Sequence, residues 1–453
     1  MTSDQIKKLD IEYAMQTYAK YDVAIERGLG ATVYSPEGKE YIDFTAVIGV
    51  NSIGYGNKKW ADAIYAQALK LQHISNLYYS EPYAKLAKVL TERAGMKNVF
   101  FANAGGEANE GMIKLARKYS FDKYGKGRST IVTLVQSFHG RTITTLAATG
   151  QDVFHNYFFP FTEGFTFVPA NDIEALKDAI SSNAECRMQN AEMNHAKTDP
   201  NVQSQREAQR SGFALERTNN EAERMPEPAR AERSGVCEDD VCAVMIELIQ
   251  GEGGVLPLDE GYVKAVAELC AAKDLLLLVD EVQTGVGRTG TLFTYQQYGI
   301  APDVVSFAKG IAGGLPMGGI MANEKCSAVF APGTHATTFG GNPVVAAGAL
   351  ETLRQLDEEA LNEVTKKGEY IKNTITGWNL PIIGEIRGRG LMIGVSLNDA
   401  APKDTAAKCI EAGLLILTAG SDALRMLPPL TISYEEIDKG LAILKNILEV
   451  ERG

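Results

Sequence analysis

Apolar positions along the chain recur with two periods. Trp60, Ile64, Ala68 and Leu71 fall three or four residues apart, as do Met112, Leu115, Ala116 and Tyr119, which predicts helices with one buried stripe. Between such segments lie short runs of aliphatic and β-branched residues at 131–135, 241–246, 275–279 and 304–308. Runs apolar on both faces and separated by helices predict a mainly parallel sheet covered on both sides. From about residue 345 the pattern changes. Long amphipathic stretches at 344–356 and 361–375 alternate with short strands at 390–395 and 424–427, which predicts a smaller α+β unit.

One segment breaks the pattern. Residues 183–235 hold six bulky apolar side chains against seven arginines and eight glutamates. Such a stretch buries too little apolar surface to offset its conformational entropy, so a disordered insertion is predicted there. The other 400 residues have ordinary globular composition: the whole chain is 453 residues, 45% hydrophobic and 23% charged. No run approaches the length of a membrane helix, and residues 1–10 lack a signal-peptide core, so a cytoplasmic protein is expected. The net charge of −12 argues against nucleic acid and anionic membranes as partners. Six scattered cysteines without CxxC, and five histidines without HExxH, give neither a disulfide framework nor a metal site.

Three segments carry chemistry. In Ser306-Phe307-Ala308-Lys309-Gly310, an apolar run delivers a lysine into a glycine-rich turn. Burial disfavours the ammonium, lowers its pKa and leaves a nucleophilic amine suited to a Schiff base. A lysine reaching out from a strand end would fit the same residues. In the second segment, Asp280 and Glu281 directly follow five apolar residues, at the sheet edge where open α/β folds bind ligands. A buried aspartate there needs a cation, and a protonated pyridine nitrogen would serve; a solvated strand end fits equally. In the third, Ala102-Asn103-Ala104-Gly105-Gly106-Glu107 leads into a helix, either as a phosphate cradle or as an ordinary helix start. The formal GxGxxG at 285–290 is not a dinucleotide fingerprint, because Asp280 and Glu281 stand between the strand and its first glycine.

A strand-end lysine, a strand-end aspartate and a phosphate cradle together meet the requirements of pyridoxal phosphate (PLP). The chain resembles class-III (subgroup II) PLP-dependent aminotransferases over nearly its whole length outside 183–235. The resemblance rests on Asn51-Ser52-Ile53-Gly54, Ser137-Phe138-His139-Gly140-Arg141-Thr142, Glu247-Leu248-Ile249-Gln250-Gly251-Glu252 and the aspartate and lysine segments. It continues through Thr337-Thr338-Phe339-Gly340-Gly341-Asn342, Arg387-Gly388-Arg389-Gly390-Leu391 and Leu424-Arg425-Met426-Leu427-Pro428. The branch that acts on N-acetylornithine is the most similar.

The resemblance implies an α/β protein of fold type I. A large domain (58–322) would carry a mainly parallel seven-stranded sheet, and a smaller α+β domain would be built from 1–57 and 323–453. Lys309 would condense with the cofactor and move the proton. Asp280 would hold the ring nitrogen protonated, Gln283 would bond the ring hydroxyl and Phe138 would stack on the ring, with Glu281 and Val282 beside them. Gly105, Gly106 and the partner subunit's Thr338 would bind the phosphate. Arg141 and Thr337 would contact substrate, while Arg425 would grip an α-carboxylate and pair otherwise with Glu252. The implied reaction is a ping-pong transfer from N-acetylornithine to 2-oxoglutarate in a homodimer with shared active sites. Ornithine, succinylornithine and 4-aminobutyrate aminotransferases, and a catalytically silent PLP-fold protein, share most of these motifs. Ala104 stands where many relatives carry a hydroxyl, and Tyr55, Leu248 and Ala336 depart from the family pattern.

Overall fold

The computed structural model describes residues 1–181 and 240–450; the insertion expected at 183–235 lies outside them. The largest sheet has seven strands, in the spatial order Asn98–Ala102, Gly318–Ala322, Val304–Phe307, Leu276–Asp280, Val241–Ile246, Thr130–Leu134 and Phe165–Val168. Only Gly318–Ala322 runs against its neighbours. The remaining pairs are parallel, so the expected mainly parallel seven-stranded sheet is present.

Alternation along a strand sends successive side chains to opposite faces. Leu276 and Leu278 pack with Met112, Ile113 and Ala116 of the helix Gly105–Tyr124. Leu277 and Val279 face the other way, into the core that includes Tyr262 and Val266 of the helix Glu260–Ala272. Both faces being dry, the strands carry no polar alternation, which is why they read as continuous apolar runs.

The two ends of the chain meet. Strands Arg27–Leu29, Thr32–Tyr34 and Glu40–Asp43 form a sheet completed in parallel by Leu414–Leu415. A third, antiparallel sheet has the order Ile383–Arg389, Met392–Leu397, Ala423–Met426 and Leu417–Ala419. The helix Pro343–Gln355 lies against the large sheet's side of the molecule: Arg93 donates to the carbonyls of Leu353 and Leu356 at 2.8 and 2.5 Å. Among the described residues no helix is long and apolar enough to cross a membrane.

Candidate active site

Five connections leave the carboxyl ends of the parallel strands and converge, as open α/β sheets require of a ligand site. Asp280 ends one strand, and only 4% of its surface is exposed. Its Oδ2 accepts from Asn109 Nδ2 at 2.7 Å and from His139 Nδ1 at 2.8 Å, while Oδ1 accepts from the Val282 amide at 2.9 Å. Ser306, on the neighbouring strand, adds a longer bond of 3.4 Å. Lys309 follows two residues after that strand, at φ +46°, and opens a tight turn running to Ala312. Burial pushes its amine down to about 8; Glu252, Asp280 and Glu247 partly oppose that effect, and Arg425 adds to it. A substantial neutral fraction near pH 8 makes this amine a nucleophile and a proton acceptor.

The cradle is built by the helix Gly105–Tyr124. Its N-cap is Ala104, which has no side chain to cap the first amides, so these are left to a ligand. A Cβ on Gly105 would stand 2.7 Å from Val282 Cγ1, so only glycine lets the helix start approach the aspartate loop. At Gly106 the nearest atom would be Thr142 Cγ2 at 3.4 Å, leaving open space in front of the helix. Glu107 does not compete there, because its carboxylate accepts from the Asn103 amide and side chain, both at 2.8 Å.

Phe138 stands half-buried and edge-on to Phe154, with ring centroids 5.7 Å apart. The exposed Arg141 guanidinium lies 4.0 Å from the Phe154 ring centre and 5.5 Å from that of Phe138. Stacked on rings rather than paired with a carboxylate, it keeps its charge available to substrate. Arg425 is buried, and its NH1 donates to Glu252 Oε1 at 2.6 Å, Gly251 O at 3.2 Å and Gln283 Oε1 at 3.3 Å. Gln283 Nε2 reaches Glu252 Oε1 at 3.3 Å. Burial alone would raise the Glu252 carboxyl, but Arg425, with Lys309 and Gln283, outweighs it and holds the group below its ordinary value. Among the described residues, Arg425 Nε is a buried donor without a hydrogen-bond partner. Thr337 Oγ1 accepts from Asn103 Nδ2 at 3.2 Å, which brings it beside the cradle, and the neighbouring Thr338 is exposed.

One expected residue is not in the site. Glu281 is fully buried on the opposite face of the strand end, accepting from Thr284 Oγ1 at 2.5 Å and the Tyr295 amide at 2.8 Å. The cause is the strand's alternation: once Asp280 faces the helix Gly105–Tyr124, its successor must face away. Burial raises the Glu281 carboxyl to about 7, which its hydrogen bonds only partly oppose.

Three residues that sequence reasoning gave no role are in the site. His139 and Asn109 hold Asp280, and among the described residues each keeps one buried polar atom, Nε2 and Oδ1, without a partner. Glu247 accepts from the amides of Phe138 at 2.8 Å and Gly251 at 3.3 Å; burial raises its carboxyl to about 7, with His139 opposing and Asp280 reinforcing the shift. Glu247 carries the same signal as Asp280, an acid directly after a dry strand. Asn109 is a lone amide on an otherwise apolar helix face. Tyr55, by contrast, lies outside the site, its hydroxyl bonded to Asp43 Oδ2 at 2.8 Å.

A depressed lysine, an aspartate pinned by four donors, uncapped helix amides and an aromatic ring fit PLP and its three recognisable parts: aldehyde, ring nitrogen and phosphate. Fold and site therefore define a PLP-dependent enzyme of the α/β type. Residues 13–204 and 188–448 match the family Aminotransferase class-III, and the chain belongs to that family. It is 45% identical to an acetylornithine aminotransferase of Haemophilus ducreyi, over 99% of both chains. To that of Methanocaldococcus jannaschii it is 38% identical, over 97% of this chain and 96% of the relative. Among solved structures, ornithine aminotransferase from Toxoplasma gondii superposes with a TM-score of 0.84 at 28% identity, covering 100% of this chain and 96% of that one. N-acetylornithine aminotransferase from Stenotrophomonas maltophilia does so with a TM-score of 0.74 at 31% identity, covering 98% of each.

Proposed function

We propose that this chain transfers the δ-amino group of N-acetylornithine to 2-oxoglutarate, yielding N-acetylglutamate 5-semialdehyde and glutamate. The observation that carries this reading is the Arg425–Glu252 pair, a buried cation neutralised by a carboxylate that can leave it. The names of the curated relatives, acetylornithine aminotransferases, support the same donor.

When bound, PLP would supply an electron sink that acidifies the amine-bearing carbon of the donor, N-acetylornithine or glutamate. The chain supplies the rest. The Lys309 amine would hold and move the proton at that carbon, a role suited to a group whose pKa is pushed down to about 8. Asp280, held by His139 and Asn109, keeps a proton on the ring nitrogen. Gln283 would bond the ring hydroxyl, with Val282 close to Gly105, and Gly105 and Gly106 would offer amides to the phosphate. Phe138 covers a ring face.

Arg141 holds the carboxylate remote from the reacting carbon in either substrate. Only 2-oxoglutarate and glutamate have a second carboxylate beside that carbon. This one displaces Glu252 and takes Arg425, whose planar guanidinium suits a bidentate grip on a carboxylate. With N-acetylornithine bound, Glu252 stays on Arg425, so no bare buried cation is left.

The proposal includes a cytoplasmic homodimer in which the partner subunit's Thr338 completes the phosphate site and Thr337 lines the substrate channel. It also divides the chain into a large unit, 58–322, and a small unit from 1–57 and 323–453. An amino-donor panel against 2-oxoglutarate tests the reading. N-acetylornithine should exceed ornithine and 4-aminobutyrate in kcat/KM by at least about tenfold: ornithine's free α-ammonium, beside the carboxylate on Arg141, brings an uncompensated charge to that guanidinium, and 4-aminobutyrate lacks the acetamido group altogether. Preference for free ornithine would reassign the donor, and inactivity with every donor would favour a silent binding protein.

A further inference from the structure

Glu252 sits at the tip of a hairpin whose two short strands, Ile249–Gln250 and Leu256–Pro257, belong to the large unit. Glu247 and Gln283 bond the tip from the large unit, but its carbonyls are held from the small antiparallel sheet. The carbonyl of Gly251 accepts from Arg425 NH1 at 3.2 Å, that of Glu252 from the Gly420 amide at 2.9 Å, and that of Gly254 from Arg387 Nε at 2.7 Å. Val255 is driven into the same sheet. It is fully buried in a left-handed conformation, φ +57°, costly for a β-branched residue. It packs with Met392, Ala419 and Leu427, where glycines make room: a Cβ on Gly394 would stand 2.9 Å from Val255 Cβ.

Arg387 joins these contacts. While Nε holds Gly254 O, NH2 forks onto Asp422 Oδ1 and Oδ2 at 2.9 and 3.1 Å. Asp422 lies three residues before Arg425 in the chain, at the edge of the strand that carries it. One guanidinium thus ties the Glu252 tip to the strand bearing the cation that Glu252 must cover.

We propose that Arg387, fixed by Asp422, is a positioning residue that sets how firmly Glu252 rests on Arg425, and so tunes the choice between N-acetylornithine and glutamate as donor. This inference rests on the Arg425–Glu252 reading above. A tethered carboxylate competes for Arg425 at an effective concentration fixed by how little its tether moves. Loosening the tip lowers that concentration and opens Arg425 to α-carboxylates of free substrates. Arg387 touches neither substrate in this reading.

The test uses single-turnover reduction of the PLP form by glutamate and by acetylornithine, with amide hydrogen exchange of residues 251–255 measured on the same proteins with and without PLP. Arg387→Gln removes the fork. Asp422→Asn, at a partly exposed position, weakens it with little risk to folding. Both should speed exchange at the tip and raise the glutamate-to-acetylornithine ratio, Arg387→Gln on the order of tenfold, as befits loss of a charge-assisted bond. The KM for 2-oxoglutarate should fall while kcat changes less. In a Glu252→Ala background, Arg387→Gln should add nothing, because the carboxylate it positions is gone.

If Glu252→Ala raises the ratio while Arg387→Gln and Asp422→Asn leave it unchanged, the positioning role is overturned and the Arg425–Glu252 switch stands. Shifts from Arg387→Gln and Glu252→Ala that simply multiply also overturn it, since Arg387 would then act elsewhere. If Glu252→Ala itself leaves the ratio unchanged, the switch fails and this inference with it.

Discussion

Asp280 and His139 share a 2.8 Å bond inside the protein, and the imidazole's other nitrogen, Nε2, is buried without a partner. With Nδ1 donating, the carboxylate is held as an acceptor, and Asn109 locks the same oxygen from another side. The anion is thus fixed in place before any cofactor arrives. Preorganised charge of this kind acts without reorganisation during the reaction.

Replacing Asp280 with asparagine keeps the shape and removes the charge. PLP should still bind, while kcat falls by about 10²–10³ in both half-reactions. Stopped-flow reduction by each donor checks this, and unchanged rates would refute the electron-sink role.

Lys309→Ala removes both the nucleophile and the proton carrier. Turnover should drop by at least about 10³-fold, within the span attributed to a positioned general base, and the visible absorption of the PLP-loaded protein should change before any amine is added. The variant should elute like the wild type in size-exclusion chromatography. A variant retaining near wild-type turnover would exclude Lys309 from the chemistry.

Glu281 supplies a stability prediction with a definite sign. Its carboxyl is raised from an ordinary value near 4.5 to about 7, so the folded protein binds a proton that the unfolded chain has released between those pH values. Stability should therefore fall as pH rises from about 4.5 to 7, by on the order of 3 kcal/mol in total from this group. Glu281→Gln can still accept from the Tyr295 amide and should lose that pH dependence. Urea midpoints of the two proteins, close together at pH 4.5, should diverge in favour of the variant by pH 7. Parallel curves would show that the side chain is ionised without cost.

Much of this was legible in the sequence because dry parallel strands cannot alternate. The runs at 241–246, 275–279 and 304–308 mark three adjacent strands to within a residue, and the acid and lysine after them mark the site. Gly318–Ala322 was not legible: its glycines look like a loop, yet they are what allow close strand packing, since a Cβ on Gly319 would stand 2.5 Å from Phe100 O. Asn98–Ala102 and Phe165–Val168 are short and flank turns, with too little pattern to distinguish them. The assignment of Glu281 to the site failed because adjacency in sequence is opposition in a strand. Glu247 carries the same local signal as Asp280, an acid after a dry strand, whereas the work of His139 and Asn109 depends on which side chains meet across elements, which no local spacing encodes.

The single antiparallel strand, Gly318–Ala322, has a mechanical consequence. It is bonded on one side to the strand that delivers Lys309 and on the other to the strand that opens the cradle, pairing Gly319 with both Phe307 and Phe101. It works as a ruler. The span between the Lys309 amine and the first amides of the helix Gly105–Tyr124 is set by two ladders of main-chain bonds, whose spacing no surface substitution alters. Drift elsewhere in the sequence can remodel the rim of the cleft and the choice of amine while the distance the cofactor must bridge stays the same.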